Sequence, residues 1–428
     1  MSRGWAFAAL FAASACSGPV QAAPTATFTE LLAQLADSHP RIDGARHMQR
    51  AGAADVSSAR SALRPQLAMD SEMGFAGGDF AILPEARISQ LIYDGDRTPA
   101  EVRRRKVRVG LLVAQEQAVL AQLSVDLAEA WIGYARSREL LAVSRQQVAA
   151  LDELQGLVVE IARYDRGRAS DVIMVQSRLQ QAVTTMQSRE IALRDAAETI
   201  REVAARAVEP VGDVPDIAPF LPRTAEECAR LAESAPQARI ADLQVTEAME
   251  AERGARNWWM PRVALEGART SEVDAQGRSR LFNDFALRLR VSALPFDSGG
   301  GRARLEAAQA SLGSTRAEAD LTRIQLRDRA QRLWVLQESR SDRLPDLADL
   351  VDRADEARTI VFEQFRIGRR SILDVLSYDL ERFSVRTQLT NERFDIAQTR
   401  YELMGMLGRI YPVLASGIAA PPSAGGAQ

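Results

Sequence analysis

The sequence repeats itself once, over nearly its whole length. Leu35-Ala-Asp-Ser-His-Pro40-Arg-Ile is answered by Leu231-Ala-Glu-Ser-Ala-Pro236-Gln-Ala, and Ala62-Leu-Arg-Pro65-Gln-Leu by Trp259-Met-Pro261-Arg-Val. Further on, Asp94-Gly-Asp-Arg97 is answered by Asp297-Ser-Gly-Gly, Trp131 by Trp334, and Gly167-Arg-Ala-Ser170 by Gly368-Arg-Arg-Ser371. The landmarks keep their order at an offset of about 196 to 203 residues, far beyond the roughly 20–50 of solenoid repeats. The fold must therefore be two copies of one large unit, at residues 23–208 and 223–412. Between them, residues 209–222 carry Pro210, Pro215, Pro219 and Pro222 and read as a linker. The tail, 413–428, is rich in Ala, Gly, Pro and Ser and reads as disordered.

Each unit follows one plan: helix, strand, strand, very long helix, turn, long helix. The opening helix runs from about Thr29 to Leu63 and stops before Pro65, because a residue preceding proline disfavours the α conformation. From Pro99 to Ile161 no further proline occurs. Val113, Leu120, Leu127, Tyr134, Leu141 and Val148 fall seven apart, with Leu123, Ala130, Ser137, Ser144 and Leu151 alongside, a coiled-coil seam. About 60 helical residues reach roughly 90 Å, longer than a compact domain needs. A second helix returns from Gly167 to about Ala207. In the second unit the pair spans about Arg302 to Phe365, with Pro345 as a kink or break, and Ser371 to Ile410.

The strands carry the functional signal. In Phe285-Ala-Leu-Arg-Leu-Arg-Val-Ser292 apolar and polar residues alternate strictly. Leu67, Met69, Met73 and Phe75 oppose Gln66, Asp70 and Glu72; Val263 and Leu265 oppose Arg262 and Glu266; Ile88 and Ile92 form the weakest of the four. A half-buried soluble sheet gives the same period, but short amphipathic strands also fit a membrane barrel with a wet interior. Four strands cannot close such a barrel, and an open edge in lipid leaves backbone groups unsatisfied, so a barrel requires a symmetric oligomer. Gly77-Gly78 and the Asp274–Gly277 region are then hairpin tips, and Trp258-Trp259 suit a membrane interface or simple packing.

The first 22 residues read as an export signal: Arg3, an apolar stretch from Trp5 to Ala15, and a cleavage site near Ala22. Alternatively Ala13-Ser14-Ala15-Cys16 is a lipid-attachment site with Cys16 acylated, although its first position lacks the usual Leu or Val. Cleavage near Ala22 leaves Cys228 as the one cysteine, so no intrachain disulfide forms. Aromatics are scarce at 6% and the formal net charge is -3; the first favours long helices, and the second gives no basic excess for nucleic acid.

The order of parts resembles the TolC-like outer-membrane channels. The likeness runs from His39-Pro40 to Ile410 and is most specific at Phe365-Arg-Ile-Gly368-Arg-Arg370-Ser-Ile-Leu-Asp374-Val-Leu376, where that family has a Tyr-x-x-Gly-x-Arg-x-x-x-Asp-Val-Leu signature. It implies a mainly α fold with a membrane β-barrel. Long coiled-coil hairpins and four strands per protomer would build, in a homotrimer, a twelve-stranded barrel on an α-helical periplasmic tube. It further implies a constriction at the hairpin tips, with Gly368 in the turn, Arg370 as gate arginine and Asp374 facing the pore. A threefold ring of Asp374 attracts cations; alternatively Asp374 simply starts a helix. Asp165, Gly167, Arg168 and Asp171 are the tip residues of the first unit. Three positions depart from the family pattern: Ser377 stands where a second aspartate is usual, Phe365 replaces a tyrosine, and Asp171 lies closer to its glycine than Asp374 does.

The two histidines, His39 and His47, sit on the first helix, His39 reading as a surface residue at a helix start. With no cysteine cluster either, the common zinc and Ser-His-Asp arrangements are not available, and Gly299-Gly300-Gly301 lacks the Lys-Ser/Thr of a phosphate loop. No cofactor, metal or catalytic residue is expected. The expected function is that of a passive duct, for type I protein secretion or small-molecule efflux, with the motif wording leaning to the former. Its partners would be a periplasmic adaptor, an inner-membrane ABC or proton-driven transporter, and outer-membrane lipid. The alternative is a periplasmic coiled-coil scaffold without a pore.

Overall fold

The computed structural model describes residues 24–76, 79–165, 168–270, 272–273, 279–280, 285–294 and 296–414. Residues 1–22 with Cys16, the expected hairpin tips at Gly77-Gly78 and 274–277, Gly167, and the tail from residue 415 lie outside them. The first unit comprises α1 (Phe28–Ser38), α2 (Pro40–Ser61), β2 (Gln66–Ala76), β3 (Asp79–Tyr93), α3 (Arg97–Tyr164) and α4 (Ala169–Ala204). The second repeats it with α5 (Ala225–Ala232), α6 (Pro236–Arg256), β5 (Arg262–Thr270), β8 (Phe285–Ser292), α7 (Gly300–Arg366) and α8 (Ile372–Met406), followed by α9 (Ile410–Leu414). Short strands β1 (Thr25–Ala26) and β4 (Glu209–Pro210) pair in parallel, and β6 (Glu272–Val273) with β7 (Ser279–Arg280) extend the main sheet.

The single opening helix read from the sequence is two helices in each unit. His39 is extended (φ -74°, ψ 136°), and its Nδ1 accepts a hydrogen bond from the Arg41 amide. Pro40 then occupies the first helical turn, where its missing N–H costs nothing; Pro236 does the same for α6. His39 is accordingly buried, at 7% exposure, and not on the surface. Desolvation, the largest influence, lowers its pKa. Pro345 does not break its helix: α7 runs through it for 67 residues, about 100 Å. The seam on α3 is inward as its spacing requires, with Leu123, Leu127, Ala130, Leu141, Ser144 and Leu151 buried.

The helices form a layer one helix thick. Near the sheet they pack in the order α2, α3, α6, α7; toward the tips the order is α4, α3, α8, α7. α3 and α7 thus run the full length, while one edge is α2 and α4 and the other α7. Apolar side chains remain exposed on the edges: Ile173 and Ile191 on α4, and Leu321, Ile324, Val335 and Leu350 on α7. The main core lies midway, where Phe28, Leu31, Leu32, Trp131, Ile200 and Tyr401 are almost fully buried. Phe28 stands edge-on to both Trp131 and Tyr401, each with ring centroids 5.8 Å apart.

The proline-rich segment packs on this core. Trp131 Nε1 donates to the Gly212 carbonyl (3.3 Å), its repeat counterpart Trp334 Nε1 to the Pro222 carbonyl (3.0 Å), and the Tyr401 hydroxyl to the Pro215 carbonyl (2.8 Å). Residues lacking secondary structure thus have their backbone acceptors met by three aromatic donors, as burial demands.

Candidate functional site

Two ends of the molecule are candidates. At one end β2, β3, β5 and β8 form an antiparallel sheet in that order. Registers place Leu67 opposite Ile88, Ile88 opposite Gly267, and Gly267 opposite Leu287. Because cross-strand partners share a face, Leu67, Met69, Met73, Ile88, Val263, Leu265, Leu287, Leu289 and Val291 stand on one mainly apolar face, which Gln90 joins opposite Leu265. Most of it is open, with Met69 at 78% and Leu289 at 63% exposure. The opposite face carries Gln66, Asp70, Glu85, Arg87, Ser89, Glu266, Arg288 and Arg290. Arg87 pairs with Glu85 at 3.0 Å and Arg290 with Glu266 at 3.2 Å. The outer edges of β2 and β8 pair with no strand among the described residues.

At the other end the two hairpin tips pack on one another. Leu151, Leu154 and Val158 of α3 and Val175 of α4 share a cluster with Val361, Phe365, Ile372, Val375 and Leu376 of the second unit. The α7 turn closes with paired hydrogen bonds from the Gly368 amide to the Phe365 carbonyl (2.9 Å) and from the Arg369 amide to the Gln364 carbonyl (2.9 Å). That closure needs left-handed backbone at its third position, which Gly368 supplies with φ +75°. Ser371 then caps α8: its hydroxyl accepts from the Asp374 amide (3.2 Å), while its amide (3.1 Å) and hydroxyl (2.9 Å) both donate to Asp374 Oδ2. These bonds, the backbone one first, hold the Asp374 carboxyl below the usual carboxylate range.

The expected tip residues divide accordingly. Phe365, at 1% exposure, is a core residue of the tip. Arg168 lies 5.9 Å from the Phe365 ring and 3.5 Å from Asp165, and so links the two tips. Arg370 is exposed and donates from Nε to Gln364 Oε1 (3.1 Å). Asp171 lies in the first turn of α4, as Asp374 does in α8. Sequence reasoning missed the ties between α3 and α8. Arg136 reaches Asp395 (2.6 Å), Arg393 reaches Glu139 (2.8 Å), and Arg386 reaches Gln146 (2.7 Å). It also missed the buried Arg358–Asp379 pair at 2.9 Å, with Arg358 4.5 Å from the Phe362 ring. Charged helix faces look alike in sequence, and no local spacing marks partners about 250 residues apart.

Comparison with known proteins agrees with this architecture. The family described as outer membrane efflux protein matches residues 229–409. Outer membrane efflux protein BepC of Brucella suis is 22% identical over 410 residues, covering 91% of this chain and 87% of that protein. Among solved structures, the outer-membrane channel OprN is similar with a TM-score of 0.78 at 17% identity, covering 89% of each chain. VceC of Vibrio cholerae scores 0.77 at 13% identity, covering 89% of this chain and 96% of its own. With the duplicated hairpins, the amphipathic sheet and the Gly368–Asp374 turn, these likenesses show that the chain has the fold of the outer-membrane channels and that its second unit is similar to the outer membrane efflux protein family.

Proposed function

We propose that this protein is the outer-membrane duct of a tripartite export system, built from several copies that pool their strands into one barrel. The observation that carries the proposal is the sheet: apolar on one face, charged on the other, and open at both edges. A bilayer satisfies the first face, water the second, and neighbouring copies the edges. β2 and β8 run in opposite directions, so copies joined edge to edge keep strict antiparallel alternation. Three copies give a twelve-stranded barrel, and their helical layers, also open at both edges, continue it as a periplasmic tube about 100 Å long.

In this reading the clustered tips are the closed gate, and Asp374 lines the constriction. Opening requires the α7–α8 hairpin to move against α3, and Arg136–Asp395 and Arg393–Glu139 resist that movement. A periplasmic adaptor docks the tips, and an inner-membrane transporter supplies the energy. Small-molecule efflux is favoured over protein secretion, because the matching family and BepC are described as efflux proteins.

Conductance in planar bilayers tests the gate. Asp374→Asn is expected to move the reversal potential in a salt gradient toward zero; an unchanged value removes Asp374 from the constriction. Because Ser371 lowers the carboxyl's pKa, wild-type cation preference should persist as pH falls from 7 to 5 and be lost only at lower pH. Ser371→Ala removes that support, so the pH at which preference is lost should rise. Absence of any conductance, together with a monomeric state in mild detergent, would overturn the duct in favour of a scaffold.

A further inference from the structure

A cavity of about 160 Å³ lies between α3, α4 and α8, beside the apolar cluster of the tips, to which its lining residues Leu151, Ala182 and Leu376 belong. Leu376, Asp379, Leu380 and Phe383 line it from α8, at the three- and four-residue spacing of one helix face. Arg178, Gln181, Ala182 and Thr185 do the same from α4, and Gln147 stands one turn from Leu151 on α3. The volume is roughly ten times the ~10–15 Å³ that a single water needs. Leu380 and Gln181 are exposed, so the cavity opens to solvent on their side.

A carboxylate in the middle of the α8 stripe is its unusual member. The Asp379 side chain is 6% exposed, and its Oδ1 accepts from Arg358 Nε of α7 (2.9 Å). Oδ2 is buried and has no hydrogen-bond partner among the described residues. Asp355 in the same hairpin is a carboxylate with a purely structural part: Arg382 Nε meets its Oδ1 (2.6 Å) and Arg386 Nη2 its Oδ2. Since α8 packs between α3 and α7, and Oδ1 is turned to α7, Oδ2 is the oxygen left to the cavity. A buried acceptor without a donor bears its desolvation cost in full, which selects a ligand that brings an N–H or O–H.

Charge narrows the choice. Arg382 and Arg386 line the adjoining cleft together with Asp379, and Arg358, Arg382 and Arg386 outnumber Asp355 and Asp379 by one. Arg178 on α4 adds a further positive charge, and its Nη1 reaches Gln181 Oε1 (3.1 Å) across the rim. A simple cation is opposed by that excess, and a simple anion by Asp379. A molecule carrying both signs answers both. Asp379 and Arg178 stand at similar levels, each about two turns from the start of its helix, while Leu151, Leu376, Leu380 and Phe383 supply an apolar wall.

We propose that this cavity binds a small aliphatic α-amino acid as its zwitterion. The ammonium donates to Asp379 Oδ2, the carboxylate accepts from Arg178, and the side chain lies on the apolar wall. The walls come from both hairpins, so the bound molecule joins α4 to α8 and favours the packed tips over any arrangement that parts them. That consequence rests on the gated duct proposed above; binding itself does not.

Isothermal titration of the full-length protein in detergent with L-valine tests the site. Valine should saturate it, whereas isobutylamine, which lacks the carboxylate, and isovalerate, which lacks the ammonium, should each bind at least tenfold more weakly. Arg178→Gln, at an exposed position, should weaken valine about tenfold and leave isobutylamine unchanged. Asp379→Asn should abolish valine binding but also loosens Arg358. Thr185→Leu fills the cavity without touching that pair, and should abolish binding too. In planar bilayers, saturating valine should lower the open fraction of the wild type and leave Thr185→Leu unaffected. Equal affinity for valine and isovalerate, binding that survives Thr185→Leu, or no valine binding by a protein that still conducts overturns the site and leaves the duct standing. Saturable valine binding without any effect on conductance keeps the site and overturns its coupling to the tips. Valine binding by a protein that never conducts keeps the site and overturns the duct.

Discussion

Leu289→Arg is expected to keep the protein from assembling in the outer membrane, whereas Arg288→Gln, one residue away, leaves assembly intact. The two side chains sit on opposite faces of β8, Leu289 opposite Leu265 and Arg288 opposite Glu266. An arginine on the lipid side of a barrel strand costs roughly 2–4 kcal/mol near the bilayer midplane, and every copy in the assembly bears that cost. In the proposed barrel the opposite face lines the lumen and meets water, so loss of one charge there should cost little. Outer-membrane fractionation and heat-modifiable migration read the outcome. Equal recovery of both variants would mean that the sheet is not in lipid, and the scaffold reading would take its place. Leu289 is 63% exposed in the single chain, so beyond its cross-strand partner Leu265 it has little protein packing to lose.

The repeat made much of this fold legible. Motifs such as Tyr93-Asp94-Gly95-Asp96 and Phe296-Asp297-Ser298-Gly299 mark where a period of two gives way to a helix, and both corners take up left-handed backbone. The change in offset, from about 196 at Pro65 and Pro261 to about 203 at Asp94 and Asp297, places the extra length between the strands of the second hairpin. Loops there tolerate insertion while strand register does not. Illegible features depended on contacts distant in sequence. His39 looked like a solvent-facing residue because the chain folds back over it. The four prolines of residues 209–222 looked like a slack linker because nothing local announces the indole and phenol donors that meet the Gly212, Pro215 and Pro222 carbonyls. At the tip, Gly368 and the Ser371–Asp374 cap were legible because turn and cap chemistry is local. The Arg136–Asp395 and Arg393–Glu139 ties were not.

Trp131→Ala should be the most damaging single substitution in the helical body. Trp131 is fully buried, stands edge-on to Phe28, and donates to the Gly212 carbonyl. Removing an aromatic of this kind from a closed core costs roughly 3–5 kcal/mol, and the Gly212 acceptor loses its donor as well. Trp131→Phe keeps a ring against Phe28 and should cost less, mainly the hydrogen bond at about 0.5–1.5 kcal/mol and a small void. Trp334→Ala, at the equivalent place in the second unit, is only half-buried and should fall below Trp131→Ala. Thermal loss of helical circular dichroism in detergent, at one protein concentration and one heating rate, should rank the three variants in that order. If Trp334→Ala proved as harmful as Trp131→Ala, the proline-rich segment and not the aromatic core would be the main support of the layer. The two tryptophans differ in burial but each donates one bond to that segment, at Gly212 and Pro222, so their comparison separates the two contributions.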